Sequence, residues 1–174
     1  MKIIAFGGSN SKHSINKKLA VFAANQFENG EVEVLDLNDF AMPLFSVDLE
    51  KEIGQEPKAI AFLEKISKAD ILVVSMAENN GNYSAAFKNV FDWTSRIEKD
   101  VFQHKPMLLL ATSPGPRGGA TVLEIARNAF PRYGGEIKAS FSLPSFNANF
   151  DAEKGEISNT ELKTDLVNLI NSNF

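Results

Sequence analysis

The stretch Ile3-Ile4-Ala5-Phe6-Gly7-Gly8-Ser9-Asn10-Ser11-Lys12-His13-Ser14-Ile15-Asn16 sets the reading of the whole chain. An apolar run ends in two glycines. A polar loop follows, and Ile15-Asn16-Lys17-Lys18-Leu19-Ala20 opens a helical pattern. Strand, turn and helix in that order bring backbone N–H groups and hydroxyls to a helix N-terminus. The unpaired N–H groups and the helix dipole both favour an anion there, so the loop implies a phosphate site. Ser14 suits the N-cap.

Outward from that stretch, strands and helices alternate. The first helix is expected from Ile15 to about Glu28, with Ile15, Leu19, Phe22, Ala23 and Phe27 on its apolar face and Asn29-Gly30 ending it. Val32–Leu35 reads as a second strand. A loop through Pro43-Leu44-Phe45 to Gly54 follows. Pro57 then opens a helix striped by Ile60, Leu63 and Ile66. Asp70–Ser75 is a third strand, apolar on both faces, and Glu78-Asn79-Asn80-Gly81-Asn82 a polar loop after it. A helix starts near Tyr83 and runs to Ile97. Lys105–Thr112 is the fourth strand, Ser113–Gly119 a turn, and Ala120–Tyr133 a helix stopped by Gly134-Gly135. Glu136–Ser142 is the fifth strand. Leu143–Gly155 is a connection. The last helix spans about Thr160–Asn171 with Leu162, Leu166, Leu169 and Ile170 on one face.

This alternation defines an α/β fold: a five-stranded parallel sheet with helices on both faces. In the order 2-1-3-4-5, the polar loops after strands one, three and four converge on one crevice, where such sheets bind ligands. Spacing alone supports a small anionic ligand, such as a nucleotide.

Composition narrows the classes. At 174 residues the chain suits one domain, 1–174, with a substantial core. A net charge of −4 argues against a nucleic-acid partner. The first apolar run is too short for a signal peptide or a membrane span, so no membrane partner is expected. With no cysteine, the chain has no disulfide, thiolate metal site or Cys nucleophile, which suits a cytoplasmic home. Only two histidines, His13 and His104, leave little for a metal site, and none is expected.

Three segments carry a resemblance. Gly8-Ser9 followed by Ser14-x-Asn16 resembles the phosphate loop Gly-Ser-x-Arg-x-x-Ser-x-Asn of the NADPH-dependent FMN reductase family. Glu78-Asn79-Asn80-Gly81-Asn82-Tyr83-Ser84, continuing through Lys88-Asn89 to Asp92-Trp93, resembles that family's Pro-Glu-Tyr-Asn-Gly-Ser and Leu-Lys-Asn-x-x-Asp-Trp. Ser113-Pro114-Gly115-Pro116-Arg117-Gly118-Gly119 is similar to its Ser/Gly-rich turn with Arg-Gly-Gly.

The resemblance implies a flavodoxin-like three-layer sandwich, FMN as cofactor, and NADPH or NADH as co-substrate. It also implies a homodimer or homotetramer and a small-molecule electron acceptor: a flavin, quinone or azo compound. On the same grounds Ser9, Ser11, Lys12, Ser14, Ile15 and Asn16 would surround the FMN phosphate. Glu78, Asn79, Asn80, Gly81 and Asn82 would line the isoalloxazine ring. Ser113, Pro114, Gly115, Gly118 and Gly119 would close its pyrimidine side. Ser11 stands at the family's Arg position with Lys12 beside it as a point cation. Asn79 replaces the family's Tyr, and Ser84 its Pro.

Several residues have plainer readings. Lys88 and Asp92 are spaced to pair on a helix. Trp93 reads as helix–helix or subunit packing, with a cofactor contact as the alternative; Phe141, Phe146 and Phe150 read as core, with a subunit contact as the alternative. Arg117 reads equally as a phosphate clamp or a solvated residue. No catalytic side chain is nominated, because hydride passage from nicotinamide to flavin needs positioning rather than an acid or base. Ping-pong turnover is the expectation. An FMN electron carrier without NAD(P)H activity, or a fold relative without flavin, remain as alternatives.

Overall fold

The computed structural model describes residues 1–174. Its sheet is built from β1 (Lys2–Gly7), β2 (Glu31–Leu35), β3 (Ile71–Asn79), β5 (Lys105–Thr112) and β6 (Gly135–Leu143), with the two-residue β4 (Asn82–Tyr83) folded back on the end of β3. The order is β2-β1-β3-β5-β6, all parallel, and β4 pairs antiparallel with β3. Counting only the long strands, this is the expected 2-1-3-4-5.

Side chains along each central strand alternate between two cores, as a pleat with period two requires. Ile4, Phe6, Leu72, Val74, Met107 and Leu109 face one cluster of 24 buried residues. Ile3, Ala5, Val73, Leu108 and Leu110 face a second of 19. Both sides of the sheet are therefore covered, and the strands read as unbroken apolar runs. The first cluster packs under α3 (Pro57–Ser67), α4 (Ala85–Ile97) and α5 (Ala120–Ala129). The second packs under α1 (Ile15–Ala24) and α7 (Thr160–Asn173).

Some elements depart from the sequence reading. α1 ends at Ala24 rather than near Glu28, because the side-chain amides of Asn25 and Gln26 donate to the Val21 and Phe22 carbonyls (2.9 and 3.0 Å) and satisfy the last turn. Phe27 is buried all the same. The α3 stripe is Ala59, Phe62, Leu63 and Ile66, with Ile60 exposed. The expected loop to Gly54 contains a helix, α2 (Val47–Ile53), capped by the Ser46 hydroxyl accepting from the Leu49 N–H (3.1 Å). It buries no residue, so no apolar stripe marked it. The helix after β5 tightens at Pro131 into a 3-10 turn, Phe130–Tyr133. The connection after β6 holds a short helix, α6 (Phe146–Asn149), and a hairpin of β7 (Phe150–Asp151) and β8 (Glu156–Ile157).

Trp93 and the aromatics behave as packing residues. Trp93 is buried, donates its indole N–H to the Pro43 carbonyl (2.8 Å) and meets Phe45 edge-on. Lys88 and Asp92 form the expected i, i+4 pair at 2.6 Å. Phe146 stacks on Phe150 within the second core.

Tyr83 is the exception in an otherwise satisfied interior. Its ring packs on Phe87 and Phe130, and its buried hydroxyl has no hydrogen-bond partner. Burial pushes that hydroxyl from 10.0 up to about 12, and Tyr133 nearby adds to the shift. Because the folded value is the higher one, the Tyr83 contribution is whole below pH 10.0 and lost as pH rises towards about 12. The variant Tyr83→Phe leaves no orphaned hydroxyl, and is expected to be more stable than wild type by about 1 kcal/mol. The gap should widen at pH 11, as read by urea unfolding at pH 8 and pH 11.

Candidate active site

Gly7 ends β1 where α1 begins. A Cβ at Gly7 would stand 2.5 Å from the Lys17 nitrogen, so only glycine lets the strand end meet the helix this closely. The loop that follows is ordered by its own hydroxyls. Ser9 Oγ accepts from the Ser11 N–H (3.1 Å), Ser11 Oγ from the His13 N–H (3.3 Å), and Ser14 Oγ from the Lys17 N–H (3.1 Å). Each hydroxyl has spent an acceptor and keeps its proton to donate. The N–H groups of Ile15 and Asn16, the first two of α1, have no acceptor within the helix.

These donors face a cleft of about 250 Å³ at the carboxyl ends of β1, β3 and β5. Ser9, Ser11, Ser14, Ile15 and Asn16 form one side. Glu78 and Asn79 form the second, and Ser113 and Pro114 the third. The structure thus brings together nine of the residues singled out in the sequence. His13, Ala77 and Thr112 also line the cleft, and sequence reasoning did not select them. Thr112 and Ala77 are strand residues in register with each other, and apolar patterning hides such positions.

The remaining candidates lie elsewhere. Lys12 faces the outer side of the loop. Asn80 and Gly81, both with positive φ (51° and 75°), form the tip of the β3–β4 hairpin, and Asn82 begins its return strand. Asn-Gly at such a tip is the mark of a tight hairpin turn. Gly115 accepts the Gly118 and Ser145 N–H groups through its carbonyl, within the turn after β5. Gly118 has φ 55° and lies so close to Ser142 and Leu143 that no Cβ fits, which is a packing role; Gly119 is the N-cap of α5.

Two lining residues have side chains already committed. The Asn16 amide is buried. It donates to the Thr112 carbonyl (3.1 Å) and accepts from the Ser75 hydroxyl (2.8 Å) and the Thr112 N–H (3.0 Å). Only its backbone N–H is free for a ligand. The Glu78 carboxylate accepts from the Val122 N–H (3.0 Å) in the first turn of α5, where Gly119 offers no side-chain cap. Arg117 stands 3.9 Å from the same carboxylate with its side chain 75% exposed, as the solvated reading has it. Ser84 caps α4 through the Phe87 N–H (3.1 Å) and donates to the Gly8 carbonyl (2.7 Å), tying the hairpin to the loop.

The donor set fits a phosphate. It offers two helix N-terminal N–H groups and three serine hydroxyls with protons to give, and no free carboxylate faces them. The remaining walls carry the Asn79 amide, Ala77 and the Thr112–Pro114 turn. No group of three or more His, Asp or Glu gathers to hold a metal ion, and no helix is long and apolar enough to cross a membrane.

A parallel sheet in this order, with a turn of unpaired donors after its first strand and a cleft at the switch point, defines a flavodoxin-like fold. The sequence model described as NADPH-dependent FMN reductase matches residues 1–148. Subunit 2 of the NADH-dependent flavin reductase of Lactobacillus johnsonii is 30% identical over 131 residues, covering 73% of this chain and 68% of that protein. An NADPH:quinone oxidoreductase of Arabidopsis thaliana is 29% identical over 97% of this chain and 90% of its own. The solved structure of FerB, a flavoenzyme NAD(P)H:(acceptor) oxidoreductase from Paracoccus denitrificans, superposes with a TM-score of 0.76 at 22% identity, covering 98% of this chain and 93% of that one. The chain belongs to the NADPH-dependent FMN reductase family. That makes it an oxidoreductase of the flavin, quinone and azo reductase class, with FMN as cofactor and NAD(P)H as co-substrate.

The Asn16 amide joins α1 to β3 and β5, so its removal strands the Ser75 hydroxyl and the Thr112 backbone in a buried place. Asn16→Ala is expected to lower stability by about 2–4 kcal/mol, as read by urea unfolding of the flavin-free protein. Ser9→Ala, at the cleft rim, should cost under about 1 kcal/mol in the same measurement.

Proposed function

We propose that residues 1–174 act as one domain that holds FMN in the cleft with its phosphate on the loop after β1. The observation that carries this reading is the set of donors with nothing to bond. These are the N–H groups of Ile15 and Asn16 and the hydroxyls of Ser9, Ser11 and Ser14. Asn79 and the turn from Thr112 to Pro114 would flank the ring. FMN held there would supply the redox chemistry between NAD(P)H and the acceptor, in ping-pong turnover.

The chain's part is positional. The loop fixes the charged tail of the cofactor and so sets where its ring lies. The Glu78 carboxylate, held at α5, steadies the strand end that presents Asn79. The cleft is open to solvent and suits a flat, conjugated acceptor such as a flavin, a quinone or an azo compound. We place the protein in the cytoplasm, where reduced nicotinamide nucleotides are available.

The functional unit is a homodimer or homotetramer. Leu44, Val47 and Ile53, in and just before α2, are 80%, 52% and 47% exposed, apolar surface that a second copy of the chain would cover. Leu44→Glu with Val47→Glu is expected to shift the protein towards monomer in sedimentation velocity. An unchanged sedimentation coefficient would place the interface elsewhere.

The cofactor reading is tested by titrating FMN into the purified protein and following flavin fluorescence, then adding NADPH without oxygen and following the visible flavin absorbance. Binding and prompt bleaching are expected. Ser9→Ala with Ser11→Ala removes two hydroxyl donors and should weaken FMN binding at least about tenfold, since hydrogen bonds to charged groups are worth roughly 1.5–3 kcal/mol each. A protein that takes up no FMN would overturn the reading.

A further inference from the structure

The loop between β1 and α1 has two sides. Its inner side faces the cleft. Its outer side opens into a separate cavity of about 290 Å³, and the two spaces share His13 and Ser14. The loop and α1 bring Lys12, Lys17, Lys18 and Val21 to the outer cavity. The β7–β8 hairpin brings Phe150 and Ala152, an apolar wall. The Phe150 ring is backed by Phe146, with centroids 4.6 Å apart, and met edge-on by Phe22 at 6.2 Å.

The charges are not balanced locally, in a chain whose net charge is −4. Lys17 is neutralised by Asp36 at 2.6 Å. Lys12 and Lys18 have no carboxylate within 4.0 Å. Of the three carboxylates on the facing hairpin, Asp151 is turned in on its own turn, accepting from the Glu153 and Lys154 N–H groups at 3.0 and 3.1 Å, Glu156 pairs with Lys163 at 2.7 Å, and Glu153 is exposed with no cation within 4.0 Å. A lone inorganic anion would satisfy the lysines and leave the apolar wall bare. An apolar ligand would leave two cations facing it. A phosphate joined to a flat base satisfies both walls at once.

We propose that this outer groove is an adenylate subsite, holding the nucleoside-phosphate half of a dinucleotide. The phosphate lies against Lys12 and Lys18, and the base along Val21, Phe150 and Ala152. The shared edge at His13 and Ser14 lets one dinucleotide cross from the inner cleft to the groove, as FAD would with its flavin phosphate on the loop. The adenylate end of NAD(P)H is the other source of the same chemistry. The first source rests on the flavin reading given above; the second does not.

The test uses the whole protein and a variant outside the inner cleft, Lys18→Ala with Ala152→Glu, which removes one cation and adds an acid to the opposite wall. Affinities for FMN, FAD and ADP are measured by fluorescence and calorimetry, ADP being titrated into both the flavin-free and the FMN-loaded protein. With flavin as the source, wild type binds FAD at least about tenfold more tightly than FMN, and the variant loses that advantage while binding FMN as before. With the nicotinamide nucleotide as the source, FAD has no advantage. ADP then binds the FMN-loaded wild type, and the variant weakens it about tenfold and raises the KM for NADPH. FAD no tighter than FMN in wild type, together with ADP affinity equal in wild type and variant, overturns the proposal. If FMN binds neither protein, the flavin reading fails, and ADP binding to the flavin-free protein still decides the groove.

Discussion

One buried amide holds the functional end of this molecule together. Asn16 reaches from the first turn of α1 to Ser75 on β3 and to both backbone groups of Thr112 on β5. Three segments distant in sequence meet on a single side chain. An amide with both of its ends used is strong in such a place, since the alternative is several orphaned polar groups in a dry interior. The loop between β1 and α1 can therefore keep free N–H groups for a ligand, because its position does not depend on bonding them internally.

The other polar groups around the cleft follow the same division. Glu78 caps α5, and Ser84 caps α4 while bonding Gly8. Both side chains stand in a segment that resembles a ring-binding motif, and both are occupied in fixing elements relative to one another. What is left for recognition is backbone N–H, serine hydroxyl and the Asn79 amide. A site of this kind is held in shape before any ligand arrives, which lowers the cost of binding.

The sheet was legible from the sequence because its strands are buried on both faces and interrupted by glycine, proline and asparagine turns. Lys105–Thr112 matches its strand residue for residue. What escaped were elements with no apolar stripe, such as α2, and short pieces within the connection after Leu143, whose bends come from local hydrogen bonds. The convergence of three polar segments on one cleft was legible. Asn16 and Glu78 line that cleft with side chains in other roles, since a polar residue free for a ligand and one that binds a neighbouring strand look alike in a sequence. Ser84 stood out only as a departure from the family's Pro, and its cap on α4 comes from the structure. Lys12 was placed in the right loop, and which of its sides the lysine faces depends on tertiary packing.

The short helix α2 has a consequence for how stability is distributed. Nothing on it is buried, and its ties to the body are few, among them the Arg96–Glu50 pair at 2.9 Å. An exposed pair of that kind contributes at most about 1 kcal/mol. The segment around it can fray and re-form while the sheet remains intact, because opening it exposes almost no core. Within a single copy the molecule is thus a firm scaffold with one loosely moored margin, and changes in that margin alter local mobility, and any contact made through it, long before they endanger folding.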